Sequence, residues 1–431
     1  MQGISRIEAL QNLTVLAYES IEAYILRKTM KSAYRIVVIR HLLLGVALIH
    51  VALRVLHGQQ LEISSKDYPT LGNPTSAVAT RDGRYVFVSV TNVGSPNFSG
   101  PDQAAGARTD AVSGIQIFHR ASSSRLRSIG FIRTGSTGAN GLVLLKGEKT
   151  LAVGVGDAGV AFVDVREMIH GTAKPHIAAQ GEGAGTFDVV ATPDGRFVFS
   201  SNEYGIVQGQ RGSVGVIAVN PDARDRVTHP QTVRQISVGD VVPSLTLSPD
   251  GSRLYVATEL VPSKEPPPIA GAGNPVLTKN DCVQKKGTPP RANGFITVID
   301  ARRAIDGETN PILSRVAAGC SPVRLVEAAD SSILFVSARG DDAVLVFAPR
   351  LLESDPENAL LRALPSGGSA PVGMRLFDQD RKLAVANSNR FADADGTIAI
   401  LDVANHPGVS RGVDRICHWK SDRRFDIVHY D

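Results

Sequence analysis

Three charged residues have the chemistry of a hydrolytic site: Glu203, Glu259 and Arg339. Each follows a short apolar segment, at a place where loops normally begin. A carboxylate such as Glu203 or Glu259 could act as a general base toward water, while the Arg339 guanidinium holds an anionic substrate. These three are the candidate catalytic residues, although their spacing alone selects no reaction.

Further polar residues follow other apolar segments in the same way. Loops on a rigid scaffold commonly carry binding residues, so we expect these side chains to line a ligand-binding face. The alternative for Asn and Asp is a role in turns, through side-chain to backbone hydrogen bonds. The ligand-face candidates are Asn92, Asp157, Asn202, Asn387 and Arg390.

Several site classes have no motif in the chain. There is no Cys-x-x-Cys-His for covalent haem and no His-Glu-x-x-His for zinc, so we predict no metal and no cofactor. The absence of a Gly-x-Ser-x-Gly elbow argues against a serine hydrolase. With 46 Lys and Arg against 42 Asp and Glu, the net charge of +4 predicts no nucleic-acid partner.

An internal repeat supplies the elements that position these residues. Each clear copy has two period-two apolar runs joined by Asp-Gly, a strong β-hairpin signal. The three clear copies have their turns at Asp82-Gly83, Asp194-Gly195 and Asp250-Gly251. Weaker copies place Gly147, Asp330 and Gln379 at the Asp position. A third alternating run follows every hairpin, and a fourth is visible in three units. The pattern predicts six units of four antiparallel strands, an all-β chain.

The segments that follow the turns resemble the YVTN family of bacterial β-propeller repeats. They read Phe-Ser-Ser-Asn at 199–202, Tyr-Val-Ala-Thr at 255–258, Phe-Val-Ser-Ala at 335–338 and Ala-Val-Ala-Asn at 384–387. The resemblance implies a seven-bladed propeller related to lactonase-like propellers. Six blades are legible, so the last blade is expected to be incomplete. Residues 61–64 are expected to supply it with an outer strand that joins the two chain ends.

Two long insertions, residues 91–109 and 260–292, follow the second strand of their units, and a shorter one spans residues 203–211. We expect all of them on one face of the propeller, the loop face. Cys282 and Cys320 are expected there on adjacent blades, which makes them a disulfide candidate worth about 3 kcal/mol in an oxidising compartment. Two buried free thiols are the alternative.

The N-terminal region has the order of an export signal. Basic residues precede an apolar run at 42–53, which is shorter than a membrane span. The predicted organisation is an over-called start or disordered leader at 1–29, a signal peptide or marginal anchor at 30–58, the propeller at 59–403 and a degenerate last blade at 404–431. A buried or interfacial helix is the alternative for the apolar run.

The leading functional expectation is a periplasmic or secreted binding or scaffolding module. Its partner would be a protein or a small molecule on the loop face, with membrane contact only through an N-terminal anchor. A lactonase-like hydrolase of sugar lactones is the second hypothesis, and an accessory subunit of a periplasmic redox enzyme is the third. Because one fold hosts many functions, fold resemblance does not choose among them.

Overall fold

The computed structural model describes residues 64–93, 112–121, 125–136, 138–207, 210–222, 226–239, 241–259, 293–388, 396–404, 413–419 and 424–429. The chain divides into two compact units, of which Asp67–Ile427 contains the sheets of the repeat. The other unit, Met1–Lys66 with Val428–Asp431, lies almost entirely outside the described residues, as does the apolar run at 42–53. Among the helices that the structure describes, none is long and apolar enough to cross a membrane.

The chain forms six four-stranded antiparallel sheets arranged as a β-propeller. We number these sheets as blades 1 to 6. Blade 1 consists of β2 (Asn73–Ala79), β3 (Tyr85–Val93), β4 (Val112–Arg120) and β5 (Leu126–Arg133). Blade 2 consists of β6 (Leu142–Leu144), β7 (Thr150–Gly154), β8 (Val160–Asp164) and β9 (His176–Ala178). Blade 3 consists of β10 (Thr186–Ala191), β11 (Phe197–Val207), β12 (Gln210–Ala218) and β13 (Gln231–Ser237).

Blades 4 to 6 repeat the same strand order. Blade 4 consists of β14 (Ser244–Leu247), β15 (Arg253–Thr258), β16 (Asn293–Asp300) and β17 (Ile312–Cys320). Blade 5 consists of β18 (Pro322–Glu327), β19 (Leu334–Ala338), β20 (Ala343–Phe347) and β21 (Leu360–Pro365). Blade 6 consists of β22 (Pro371–Phe377), β23 (Lys382–Asn387), β24 (Gly396–Asp402) and β25 (Val413–Trp419). Short helices span Val165–Ile169, Ala301–Asp306 and Leu351–Ser354.

The first strand of each blade is the innermost. From β2 to β22, the first strands of successive blades contact one another, so they line the centre of the propeller. The predicted hairpins and third strands are confirmed in all six units. The two chain ends pair through β1 (Ser64–Pro69) and β26 (Arg424–His429), which form a two-stranded sheet of their own. The outer strand of blade 6 is β25, so the prediction that residues 61–64 supply this strand is wrong.

The Asp-Gly turns owe their shape to their own side chains. In blade 1, Asp82 accepts a hydrogen bond from the Thr80 hydroxyl at 2.7 Å and another from the Arg84 N–H at 3.0 Å. Gly83 has φ of 66°, a left-handed conformation that glycine adopts without the strain a Cβ brings. Blades 3 and 4 repeat the arrangement, with φ of 75° at Gly195 and 74° at Gly251. We call the face that carries these turns the turn face.

The hydrophobic core lies between the blades. The middle strands are buried on both faces, as every residue of β7 and of β19 shows. Apolar clusters join neighbouring blades; the one between blades 3 and 4 includes Val214, Val238 and Val256. Because each blade packs on its neighbours, loops that leave different blades on one face are held at fixed distances.

Candidate functional site

The structure brings two of the predicted catalytic residues into contact. Glu259 follows β15 and Arg339 follows β19, and the guanidinium Nη2 of Arg339 donates to Oε1 of Glu259. The two side chains are only 12% and 16% exposed. The ion pair therefore joins blade 4 to blade 5 on the loop face.

Backbone contacts hold this pair in place. The Glu259 N–H donates to the Val241 carbonyl at 2.8 Å, and the Arg339 N–H donates to the Ser321 carbonyl at 3.0 Å. Val241 and Ser321 belong to the loops that enter blades 4 and 5, with φ of 54° and 53°. The loops that enter a blade and those that follow its second strand therefore share the loop face.

Glu203, the third candidate, lies in the extended part of β11. Its N–H donates to the Gly185 carbonyl at 3.2 Å, and the N–H of Tyr204 donates to the Ala184 carbonyl at 2.9 Å. The Arg211 guanidinium lies 5.0 Å from the centre of the Tyr204 ring, within cation–π range. The tyrosine remains 41% exposed, so blade 3 presents an aromatic surface on the loop face.

Electrostatics connect these groups across blades. The negative charge of Glu203 is the largest cause of a raised pKa at Tyr204, followed by burial and a hydrogen bond to the Glu203 carboxylate. Arg211 opposes the rise, and Glu259 of blade 4 adds to it. We call the residues Glu203, Tyr204, Arg211, Glu259 and Arg339 the rim cluster.

The ligand-face candidates have mainly structural contacts. Asn202 is fully buried and bonds to Thr186, Gln180 and Ser213. Asn387 is 1% exposed and donates to the Ser366 carbonyl at 3.0 Å. Both amides are buried in strands, β11 and β23, and their bonds cross the sheet rather than form a turn.

The remaining ligand-face candidates are Asp157, Asn92 and Arg390. Asp157 accepts a hydrogen bond from the Gly185 N–H at 3.2 Å, beside the strand end that carries Glu203. Asn92 has a left-handed backbone, with φ of 55°, within β3. Arg390 lies outside the described residues.

Cys320 forms a disulfide bond and is fully buried at the end of β17. Its N–H donates to the Asp341 carboxylate at 2.7 Å, which fixes the strand end beside the Arg339 loop. Cys282 lies outside the described residues, so its pairing with Cys320 stays a prediction.

A second polar group, which the sequence did not single out, lines the centre of the propeller. Nη1 of Arg324 lies 2.7 Å from Oδ2 of Asp188, and the Ser244 hydroxyl donates to the same oxygen at 2.9 Å. The three residues come from the innermost strands of blades 5, 3 and 4. We call them the channel cluster.

A repeat position explains the channel cluster. Asp188, Ser244 and Arg324 each lie six residues before the turn position of their unit. The corresponding residue of blade 2 is Gly141, where an added Cβ would lie 2.1 Å from Oδ1 of Asp188. A comparison of the residue types at this repeat position across the units would have revealed the cluster from the sequence. Asp188 follows by three residues Gly185, whose carbonyl accepts a hydrogen bond from the Glu203 N–H, so the channel cluster lies near the rim cluster along the chain of blade 3.

A large groove on the turn face is a weaker site candidate. Its volume is about 510 Å³, and it lies between blades 3 and 4 around Asp194, Asp250 and Arg302. Its charged groups are occupied locally, since Asp194 pairs with Arg196 at 2.9 Å and Arg302 pairs with Asp306. The rim cluster, which joins three blades, is therefore the better candidate.

The side chains of the rim and channel clusters are of the types that bind polar ligands. In the rim cluster, the half-exposed ring of Tyr204 lies beside the Glu203 carboxylate and the Arg211 guanidinium, an arrangement that suits a ligand with both hydroxyl and carboxylate groups. Within the described parts of the chain, no group of three His, Cys, Asp or Glu side chains could hold a metal ion.

Comparison with known proteins supports the fold. No family model matches the chain, and no curated protein matches it. Periplasmic gluconolactonase of Pseudomonas aeruginosa is 19% identical with a TM-score of 0.54, covering 83% of this chain and 89% of that one. Hydrazine synthase of Kuenenia stuttgartiensis is 16% identical with a TM-score of 0.52, covering 77% and 84%.

A putative 6-phosphogluconolactonase of Bacteroides uniformis is 13% identical with a TM-score of 0.51, covering 81% of this chain and 87% of its own. The chain is therefore structurally similar to lactonase-like β-propellers. At these identities the similarity extends to the fold alone, and membership of the YVTN family stays a prediction.

Proposed function

We propose that the protein is an extracytoplasmic binding module that takes a small polar ligand on its loop face. The observation that carries this proposal is the pairing of the candidate catalytic groups within the protein: Glu259 with Arg339, and Glu203 with Tyr204. A general base needs its carboxylate available to the substrate or its water. Paired groups instead form a fixed polar surface, which favours recognition over proton transfer.

The rim cluster indicates a sugar acid as the ligand class. The exposed face of the Tyr204 ring can pack against the C–H face of a sugar, and the neighbouring carboxylates accept hydrogen bonds from hydroxyl groups. A guanidinium group such as that of Arg211 can bind the ligand carboxylate through two parallel hydrogen bonds.

Gluconate is a suitable probe for this proposal. We expect gluconate to raise the unfolding temperature of the full chain saturably, and Tyr204→Ala together with Arg211→Met to abolish the rise. Arg302→Met is the matched control, because Arg302 is an exposed arginine of the turn face. No protection by gluconate or glucuronate, or protection that survives the double substitution, would refute the proposal.

The extracytoplasmic location rests on the N-terminal sequence and has its own test. Cleavage of a signal would leave a mature N-terminus downstream of the apolar run at 42–53. Mass spectrometry of the protein from a periplasmic fraction measures this directly. A mature N-terminus upstream of Met30 would contradict the predicted start.

A lactonase-like hydrolase is the second candidate, favoured by the names of two structural neighbours and by the carboxylates of the rim and channel clusters. In this reaction, Glu203 would take a proton from water as the water oxygen attacks the lactone carbonyl. The ring C–O bond would then break, and a proton returned to the ring oxygen would give the open hydroxy acid.

Hydrolysis separates the two candidates. Gluconolactone and 6-phosphogluconolactone are incubated with the full chain, and acid release above the spontaneous rate is measured. A rate lost in Glu203→Gln but kept in Glu308→Gln, an exposed glutamate of blade 4, would establish the hydrolase. Binding of gluconate without hydrolysis would support the binding module.

A further inference from the structure

A buried arginine with no acidic partner among the described residues lies between blades 3 and 4. Arg315, on the outer strand β17, is 6% exposed. Its Nη2 donates to the Val238 carbonyl at 2.9 Å, and its guanidinium lies 5.0 Å from the centre of the Phe295 ring. Its Nε has no hydrogen-bond partner in the described structure. Transferring a charge into such an interior is costly unless an opposite charge accompanies it.

Two buried hydroxyls share the face of the sheet that carries Arg315. Thr297 lies directly opposite Arg315 in the β16–β17 pairing. Thr258 lies opposite Phe295, whose ring the guanidinium contacts. Both threonines are fully buried, and neither hydroxyl has a hydrogen-bond partner in the described part of the chain. Directly opposed residues of an antiparallel pair have Cβ atoms about 5 Å apart, so these groups are neighbours.

We propose that Arg315, Thr297 and Thr258 form an internal site for a small monovalent anion of the chloride class. The guanidinium supplies the positive charge and Nε–H, and both hydroxyls can donate a hydrogen bond. A carboxylate or chloride balances a buried cation, whereas water satisfies only the donors. The surrounding residues Val238, Thr258 and Thr297 have no exposed surface, which favours a monatomic ion over a larger anion.

The electrostatic environment of Arg315 supports this assignment. Burial lowers the pKa of Arg315 to about 10, and no neighbouring charged group contributes. Apolar side chains of this interface, among them Val214, Val238 and Val256, pack in one cluster. An anion would therefore stabilise the packing of blade 3 on blade 4 by neutralising the buried charge of Arg315.

Thermal unfolding of the full chain in sodium chloride and in sodium methanesulfonate at equal ionic strength tests the proposal, because methanesulfonate is a monovalent anion too large for this site. We expect chloride to raise the midpoint saturably by roughly 1 to 3 °C relative to methanesulfonate. The double substitution Thr258→Val with Thr297→Val conserves side-chain volume and should remove the chloride effect.

Ser337→Ala is the matched control, because Ser337 is a fully buried residue of blade 5 whose hydroxyl also has no partner in the described structure. This variant should keep the chloride effect. If the double variant does not fold, crystals of the wild type soaked in bromide give the second measurement, with an anomalous peak expected beside Nε of Arg315. No peak, a carboxylate of the 260–292 segment paired with Arg315, or a peak without a chloride-dependent midpoint would overturn the proposal.

Discussion

Glu327 is a carboxylate whose ionisation should weaken the fold near neutral pH. It ends β18, and both of its carboxylate oxygens are buried. Burial raises its pKa from 4.5 to about 7. Asp250 and Asp330 raise the pKa further, while the Ser331 hydroxyl lowers it.

The sign of the effect follows from the two pKa values. Between pH 4.5 and about 7 the unfolded chain has lost the Glu327 proton while the folded chain keeps it. The free energy of unfolding therefore falls as pH rises through this window and levels off above about pH 7. The rise of the pKa from 4.5 to about 7 corresponds to a loss of about 3 kcal/mol in the free energy of unfolding. Because the residue is only half-buried, solvent screening reduces this loss to about 1–2 kcal/mol.

Glu327→Gln removes the ionisation and keeps the side-chain volume. We expect the variant to be about 1–2 kcal/mol more stable than the wild type at pH 8, with the difference vanishing near pH 4.5. Urea unfolding at a series of pH values measures it, with Glu308→Gln as the exposed control. A difference independent of pH, or one that grows toward acid, would refute this reasoning.

Three other substitutions test the disulfide, the channel and the turns. Reduction, or Cys320→Ser, should lower the free energy of unfolding by about 3 kcal/mol, and non-reducing peptide mapping should link Cys320 to the 260–292 segment rather than to β25. Asp188→Asn should cost roughly 1–3 kcal/mol by denaturant unfolding, and adding Arg324→Met should recover part of it; strictly additive costs would contradict the ion pair. Gly83→Ala should lower stability by about 1 kcal/mol in thermal scans because its φ is positive, whereas Gly130→Ala, whose added Cβ makes an ordinary contact with the Ile117 side chain at 3.5 Å, should not.

The outer strands show where sequence patterns lose information. The fourth strands of blades 1, 3 and 4 were legible, but β9, β21 and β25 were not. β9 has three residues and β21 is mostly exposed, so neither carries an apolar alternation. β25 lies in the stretch predicted to be degenerate, yet it pairs with β24 because the edge of blade 6 offers free backbone groups.

The candidate site was also predicted from the sequence only in part. The sequence placed Glu203, Glu259 and Arg339 at loop positions because each follows a recognisable strand. It did not show that Glu259 pairs with Arg339, since 80 residues separate them along the chain. Nor did it distinguish the exposed Tyr204 from the buried Asn202, although the two are close in sequence.

The sequence by itself determined the repeat, because period-two apolar runs and Asp-Gly turns depend on local backbone geometry and burial. Only the tertiary structure decided which blades meet and which polar groups pair between them. Asp188, Ser244 and Arg324 occupy one position of the repeat, yet they become a cluster only when three blades pack side by side around a common centre. Contacts of that kind depend on packing between distant segments, which local patterns do not encode.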